Sequence, residues 1–148
     1  ILLENNIVYR TKHGGFHQHY GKENIIRNNI FAFSRNAQIM RTREEEHISF
    51  TFERNIVYFT DGTLFGGNWT NGQYEFDYNV YYPSPLRRLD LAMFAEWQAK
   101  GNDEHSIVAD PLFADPQHGD FTLQPGSPAL KVGFKPIDTT RIGRLAKH

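Results

Sequence analysis

Four short segments of the chain repeat one pattern of apolar and polar positions. In each segment an asparagine follows a large apolar residue by three positions and directly precedes Ile or Val. The repeated asparagines are spaced 23, 26 and 24 residues apart along the chain. The segments are LLENNIVY, IIRNNIFA, TFERNIVY and EFDYNVYY, in which the repeated residues are Asn6, Asn29, Asn55 and Asn79.

The composition of these segments favours strands over helices. Ile, Val, Phe and Tyr fit a pleated sheet, while Asn and Gly mark the turns between strands. A repeat of this length is typical of a solenoid, in which successive coils pair their strands in parallel about 4.8 Å apart. The pattern therefore predicts an all-β fold, a right-handed parallel β-helix with coils of about 24 residues.

The repeat also predicts what each column of the β-helix contains. The asparagines are expected to take a left-handed turn conformation and to hydrogen-bond from coil to coil. The apolar residues on either side of them are expected to stack inside the coil, as the columns Leu3, Ile26, Phe52, Phe76 and Ile7, Ile30, Ile56, Val80. Charged residues two positions before each asparagine are expected to point outward, namely Glu4, Arg27, Glu53 and Asp77.

A second strand in each coil follows from the same spacing. Ten residues after each of the first three asparagines come Phe16, Ile39 and Phe65, which we expect to form an inward column. The segments GGFHQHYG, AQIMRTRE and TLFGGNWT then lie side by side as parallel strands. Strict alternation places His17 and His19 on the outer face and points Arg41 inward, whereas a bend after Ile39 would turn Arg41 outward.

The pattern changes after the fourth coil. The segment PSPLRRL breaks the sheet, and residues 90–101 are expected to form a helix that covers a sheet edge. Asp90 is the expected N-cap, Gly101 the expected end, and Leu91, Phe94 and Trp97 recur at helical spacing. The chain is thus interpreted as one domain, with coils in residues 1–83, a helix and loop in 84–106, and irregular closing coils and a tail in 107–148.

Composition limits the kinds of partner. The net charge is −1, from 16 basic and 17 acidic residues, which gives no general attraction to nucleic acid or to an anionic membrane. No apolar run has the length of a membrane span. The chain contains no cysteine, so we expect no disulfide and no thiolate metal site, and no cofactor is expected.

The C-terminal sequence carries a family resemblance. The stretch EWQAKGNDEHSIVADPLFADPQHGDFTLQPGSPALKVGF resembles the end of right-handed parallel β-helix proteins that act on carbohydrates, notably bacterial glycoside hydrolases with α-L-fucosidase and xylanase activities in the pectate-lyase-like superfamily. The resemblance implies a glycoside hydrolase acting on a polysaccharide or oligosaccharide, in an extracellular or periplasmic location. The alternatives are a polysaccharide lyase and a non-catalytic carbohydrate-binding or structural module.

The resemblance also implies that further coils precede this chain in a longer protein. When those coils are absent, the strand edge at the first coil is bare, and a bare edge is expected to favour edge-to-edge self-association.

One strand face concentrates the candidate chemistry. Sugar clefts combine aromatic platforms, hydrogen-bonding side chains and carboxylates for acid–base work. The candidate catalytic residues are His17, His19, Arg41 and Glu45, and the candidate substrate-binding residues are Arg43, Asn68 and Trp69. Alternatives are that the histidines decorate a solvated face, that they bind zinc with His13 or His47, and that Trp69 packs under a loop.

Overall fold

The computed structural model describes residues 1–84 and 91–139, and these form a parallel β-solenoid with three sheets along its sides. The first sheet contains β1 (Leu2–Glu4), β4 (Asn24–Arg27), β7 (Phe50–Glu53) and β10 (Glu75–Asp77). The second contains β2 (Ile7–Tyr9), β5 (Ile30–Ala32), β8 (Ile56–Phe59), β11 (Val80–Pro83) and β12 (Ile107–Val108). The third contains β3 (Gly14–Gln18), β6 (Ala37–Arg41) and β9 (Thr63–Gly67).

The strand registers confirm the repeat found in the sequence. In the first sheet Leu3 pairs with Ile26, and the column continues through Phe52 to Phe76. In the third sheet Phe16, Ile39 and Phe65 pair across three coils. The predicted parallel β-helix is therefore present, with neighbouring coils offset by the spacing of the asparagines.

Apolar residues pack on both faces of the second sheet, which corrects one predicted column. Phe31 and Val57 pack in the interior cluster formed by all three sheets. Their neighbours Ile30 and Ile56 belong to a separate cluster that contains Phe121 of the C-terminal segment. The prediction that Ile7, Ile30, Ile56 and Val80 line the interior was wrong, because this column lies on the outer face and the tail covers it.

The left-handed turn residue also differs from the prediction. In every coil the residue before the ladder asparagine has the positive φ angle, and the ladder asparagine itself does not. These residues are Asn5 (60°), Asn28 (54°), Arg54 (52°) and Tyr78 (57°). The turn therefore tolerates large side chains in a strained conformation, because the ladder beside it fixes the backbone.

The repeated asparagines form a ladder of hydrogen bonds inside the coils. The side-chain oxygen of Asn55 accepts from the backbone N–H and the side-chain amide of Asn29, at 2.9 and 3.0 Å. Asn79 accepts the same two bonds from Asn55, at 2.9 and 3.5 Å. The Asn55 amide also donates to the Ile26 carbonyl oxygen at 2.9 Å. The ladder thus satisfies polar groups that are fully buried.

A buried carboxylate ends this ladder. Asn79 donates its side-chain amide to Asp103 Oδ1 at 3.0 Å and its backbone N–H to Ser106 Oγ at 2.8 Å. Asp103 Oδ2 accepts from the Tyr81 hydroxyl at 2.9 Å and from the Trp97 indole N–H at 2.8 Å. Burial raises the pKa of Asp103, and the hydrogen bonds from these neighbours only partly oppose that rise.

The helix α1 (Leu91–Ala99) covers the last coil. Phe94 is buried against Tyr81, and Trp97 joins the same aromatic cluster, whereas Leu91 is 57% exposed. Gly101 has a φ angle of 93°, which confirms it as the residue that ends the helix. The predicted N-cap Asp90, like most of the PSPLRRL segment, lies outside the described residues.

The C-terminal segment only partly forms the closing coils that were expected. β12 extends the second sheet, but β13 (Phe113–Asp115) and β14 (Asp120–Leu123) form an antiparallel pair. A 3₁₀ helix, Pro128–Val132, follows. Lys135 then exchanges two hydrogen bonds with the side chain of Asn28, at 2.7 and 2.9 Å. The tail therefore runs back along the outer face of the second sheet.

The outward charged row is confirmed by one interstrand ion pair. Arg27 Nε lies 2.8 Å from Glu4 Oε2 on the adjacent coil, and both side chains are about two-fifths exposed, at 43% and 37%. Such exposed pairs contribute little stability but oppose a slip in register. Within the described ranges, no helix is both long and apolar enough to cross a membrane.

Candidate functional site

The two histidines of β3 and its following turn share one hydroxyl group. His17 Nε2 lies 3.0 Å from Thr42 Oγ1, and His19 Nδ1 lies 2.7 Å from the same oxygen. A threonine hydroxyl has one proton and two lone pairs, so it donates to at most one of the two imidazoles. Both histidines are exposed. Thr42 therefore contacts both imidazole rings and holds them on the same face.

An aromatic ring and a guanidinium group extend this surface. The Arg43 guanidinium lies 4.3 Å from the centroid of the Tyr20 ring, which is a cation–π distance. The Tyr20 ring meets the His19 ring edge to face, with centroids 4.7 Å apart. Tyr20 is 61% exposed. The predicted residue Arg43 thus lies on the same face as the histidines and is held there by stacking.

The second and third coils are joined at this surface by side-chain hydrogen bonds of Asn68 and Glu44. Asn68 Nδ2 donates to the Thr42 carbonyl oxygen at 3.2 Å. Glu44 Oε1 accepts from the hydroxyl and the backbone N–H of Thr70, at 2.7 and 3.0 Å. The hydroxyl bond is the largest cause that lowers the pKa of Glu44, and the Arg41 charge adds to it. Glu44 is therefore held in its ionised form at this surface.

These exposed groups form one continuous surface across three coils, which we call the histidine face. Its residues are His17, His19, Tyr20, Thr42, Arg43, Glu44, Asn68 and Thr70. Four of the seven predicted site residues belong to the histidine face. The other three, Arg41, Glu45 and Trp69, make different contacts.

Glu45 uses its carboxylate to connect two loops, through contacts with Gly21 and His47. Its Oε1 accepts from the Gly21 backbone N–H at 3.2 Å, and its Oε2 lies 3.2 Å from His47 Nε2. The same nitrogen of His47 lies 3.0 Å from the Gly21 carbonyl oxygen. Because both neighbours of this nitrogen are acceptors, it carries the proton. Glu45 and His47 therefore hold the turn after β3.

Arg41 points into the coil and is fully buried, as strict alternation requires. Its guanidinium donates to the Asn68 carbonyl oxygen at 3.2 Å, to Asn71 Oδ1 at 2.9 Å and to Ser49 Oγ at 3.1 Å. It also lies 5.3 Å from the Tyr74 ring centroid. The prediction of Arg41 as a catalytic surface residue therefore disagrees with its position, and the alternative bend after Ile39 does not occur.

Trp69 packs against the interior aromatic cluster at the end of the third sheet. Its indole N–H donates to the Gly66 carbonyl oxygen at 2.8 Å, and its ring lies 5.0 Å from both Phe65 and Tyr74. Its remaining exposed surface lines a shallow depression beside the helix α1, together with Trp97. Trp69 thus packs largely against neighbouring aromatic rings, and the depression borders the histidine face at Thr70.

Metal binding gains no support from the described residues, which contain no group of three or more His, Asp or Glu side chains placed to hold a metal ion. His13 and His47, each predicted as a possible third zinc ligand, make other contacts. His47 contacts Glu45 and Gly21 as described above, and the carbonyl of His13 accepts a hydrogen bond from Ser34 at 3.1 Å.

Several residues of the site and core were not predicted. Thr42 and Tyr20 were given no role, although Thr42 lies in register with His19 in the sequence repeat. Asp103 was also missed, yet the spacing of 24 residues that separates Asn55 from Asn79 leads directly from Asn79 to Asp103. Continuing the repeat beyond the last asparagine would therefore have identified the end of the ladder.

Comparisons with known proteins find that part of the chain is similar to part of a bacterial protein. No family model matches the chain, and no solved structure matches it. A region of 92 residues is 35% identical to the uncharacterised protein YwoF of Bacillus subtilis (strain 168), covering 55% of this chain and 20% of that protein. The matched part of the chain thus spans about a fifth of that relative's length, and the relative's name states no activity.

Proposed function

We propose that this chain is part of a carbohydrate-active β-helix protein, of the glycoside hydrolase class, that binds a polysaccharide or oligosaccharide across the histidine face. The observation that carries the proposal is the alignment of imidazole, guanidinium, amide and carboxylate groups on successive coils. Parallel strands repeat about every 4.8 Å, close to the length of one sugar residue. A glycan lying along the coil stack would meet a new set of polar groups at each coil.

The chemistry of individual side chains supports this class of ligand. Tyr20 offers an exposed ring for stacking on a sugar, and Arg43 keeps its guanidinium over that ring. Imidazole nitrogens of His17 and His19 bind hydroxyl groups as donors or acceptors. Because hydrogen bonds from Thr70 lower the pKa of Glu44, this carboxylate fits the base or nucleophile of glycoside hydrolysis better than the acid. It replaces Glu45 in the proposed catalytic set.

The burial of Arg41 favours a hydrolase over a lyase. A lyase acting on uronates needs cationic groups to neutralise the substrate carboxylate, and Arg41 and Arg43 are the pair of arginines in this part of the sequence that would suit that role. With Arg41 inside the coil, only Arg43 of this pair reaches the surface. A polysaccharide substrate would place the protein outside the cytoplasm, and an extracellular or periplasmic location is part of the proposal.

The proposal is tested by binding and turnover on a panel of polysaccharides and oligosaccharides. New reducing ends would indicate hydrolysis, absorbance of an unsaturated uronate would indicate a lyase, and retardation in affinity gels without turnover would indicate a binding module. We expect His17→Ala and Arg43→Ala each to weaken binding or turnover at least about tenfold, or about 1.4 kcal/mol. Because both side chains are exposed, the unfolding midpoint should not change.

Matched substitutions distinguish the site from a general surface effect. His118→Ala and Arg35→Ala remove the same side chains from other exposed positions and should leave binding unchanged. If the chain binds no glycan of the panel, or if all four variants behave alike, the histidine face is not a carbohydrate site.

A further inference from the structure

The loop after β9 contains an asparagine followed directly by a glycine, Asn71 and Gly72, and this pair occurs once in the chain. Both residues are exposed. Gly72 has a φ angle of 69°, and a Cβ built on it would meet no atom within 4 Å. Its backbone N–H has no hydrogen-bond partner among the described residues. The Gly72 nitrogen is therefore accessible, and no side chain shields it from the asparagine that precedes it.

The side-chain carbonyl oxygen of Asn71 accepts two hydrogen bonds. Arg41 Nη1 donates to Oδ1 at 2.9 Å, and the Gln73 backbone N–H donates to the same oxygen at 3.2 Å. The amide nitrogen of Asn71 donates to the Glu45 carbonyl oxygen at 2.9 Å. Exchanging the oxygen and nitrogen would set donors against donors and an acceptor against an acceptor. The orientation of this amide is therefore fixed by its partners on both sides.

The guanidinium of Arg41 has only neutral hydrogen-bond partners, namely a carbonyl oxygen, a hydroxyl group and the Asn71 amide oxygen. Among the described residues, no carboxylate forms an ion pair with it. The nearby carboxylate of Glu44 binds Thr70 instead. Arg41 is fully buried, and a buried charge without a paired counter-charge is costly. A carboxylate in place of the Asn71 amide would face this charge directly.

We propose that Asn71 is a self-modification site, at which the folded chain converts this asparagine to aspartate. The Gly72 nitrogen attacks Asn71 Cγ and loses its proton to water, and the bond from Cγ to the amide nitrogen breaks with release of ammonia. Water then attacks Cγ of the resulting cyclic imide. The bond from Cγ to the Gly72 nitrogen breaks, that nitrogen regains a proton, and Cγ becomes the aspartate carboxylate. One water molecule is consumed and one ammonia molecule is released.

The two donors at Asn71 Oδ1 also determine the product. Negative charge develops on this oxygen when Gly72 attacks Cγ and again when water attacks Cγ, and Arg41 and the Gln73 N–H stabilise it in both steps. Attack of water at the other imide carbonyl would instead give isoaspartate, in which the main chain runs through the former side chain. An unfolded Asn–Gly peptide lacks these donors and gives mainly isoaspartate. The fold therefore directs the reaction to aspartate.

The product supplies the counter-charge that Arg41 lacks. A charge-assisted pair replaces the neutral hydrogen bond between Arg41 and Asn71, and such pairs are stronger. The hydrogen bond to the Glu45 carbonyl oxygen is lost, but it is exposed, so water can replace it. We therefore expect the converted chain to be more stable than the newly made chain.

Incubation of the purified chain at mildly alkaline pH tests the site, with a synthetic peptide of residues 66–77 as the unfolded reference. Mass spectrometry locates each change from amide to acid, and a methyltransferase specific for isoaspartate measures that product. We expect conversion at Asn71 in both samples, mainly to aspartate in the folded chain and mainly to isoaspartate in the peptide. No conversion in the folded chain, or the same product ratio in both samples, would overturn the proposal.

Asn36 is the internal control, because it is exposed but precedes alanine. It should stay unchanged, and conversion there to the same extent would reduce the effect to general ageing. Arg41→Met should slow conversion at Asn71 at least about tenfold and shift the product toward isoaspartate. If this variant does not fold, the comparison of folded chain and peptide decides the question.

Thermal unfolding tests the counter-charge separately. Asn71→Asp builds the product directly and should raise the unfolding midpoint. Asn36→Asp makes the same change of charge at another exposed asparagine and should not raise it. If the two variants move the midpoint alike, the effect comes from net charge and the pairing with Arg41 is excluded.

Discussion

The coils contain two buried polar columns, and they differ in how completely their hydrogen bonds are made. In the asparagine ladder the amides of Asn29, Asn55 and Asn79 each donate and accept, and the last donor reaches the carboxylate of Asp103. In the third sheet Gln18 pairs in register with Arg41, and the buried donors Gln18 Nε2 and Arg41 Nε have no hydrogen-bond partner among the described residues. Both columns follow the same parallel register, so pairing alone does not decide whether a buried polar column is satisfied.

The difference comes from the balance between donors and acceptors. An amide carries both, so identical asparagines satisfy each other, and the ladder needs only an acceptor at its far end. Asp103 supplies that acceptor, and several donors surround its charge. Glutamine has both donors and an acceptor, whereas arginine has only donors. The pair of Gln18 and Arg41 therefore has fewer acceptors than it has donors.

The largest effect is expected at the end of the ladder. Asp103→Ala leaves the buried groups of Asn79, Tyr81 and Trp97 without their acceptor, and we expect it to destabilise the fold by about 3–5 kcal/mol. Urea unfolding measures the change. Glu104→Ala removes an exposed carboxylate from the next position and should leave the midpoint unchanged. A similar midpoint for both variants would show that Asp103 does not hold the ladder end.

A smaller loss is expected within the ladder. Asn29→Ala removes the donors to Asn55 and the acceptor for Asn6, and we expect a loss of about 1–3 kcal/mol. The same substitution at Asn6, which is only partly buried and begins the ladder, should cost less. Denaturant midpoints of the two variants make the comparison. Equal costs, or no cost at Asn29, would contradict a cooperative ladder.

The smallest effect is a dependence on pH. Because the folded pKa of Asp103 lies above its ordinary value of 3.8, the native state binds this proton more tightly than the unfolded chain. The resulting stability is present below that value and is lost as pH rises through the folded pKa. The free energy of unfolding of the wild type, relative to Asp103→Asn, should therefore fall as pH rises above 3.8.

An exposed aspartate provides the opposite control for this titration. Hydrogen bonds from the hydroxyl and the backbone N–H of Thr122 lower the pKa of Asp120, so its contribution is lost as pH falls. The wild type relative to Asp120→Asn should show the reverse slope. Parallel slopes for the two aspartates would mean that burial does not dominate at Asp103.

The sequence by itself determined the coil, its period and its register. These follow from positions that recur in every repeat, such as Asn29 and Asn55, because parallel pairing brings equivalent residues side by side. The same register placed His17 and His19 outward on neighbouring sites, and strict alternation turned Arg41 inward. Local periodicity was sufficient for the coil and for the outward histidines, whereas the direction of Arg41 stayed open between strict alternation and a bend after Ile39.

Only the tertiary structure decided which faces are covered and which polar groups are satisfied. Alternation separates the two faces of the second sheet, but the tail that covers Ile30 and Ile56 comes from far along the chain. Glu44 meets Thr70 at the equivalent position of the next coil, but the neighbouring Glu45 turns back to Gly21 of the preceding coil, one position out of register. Such contacts depend on how the loops and the tail fold over the coils, and no periodic pattern specifies that.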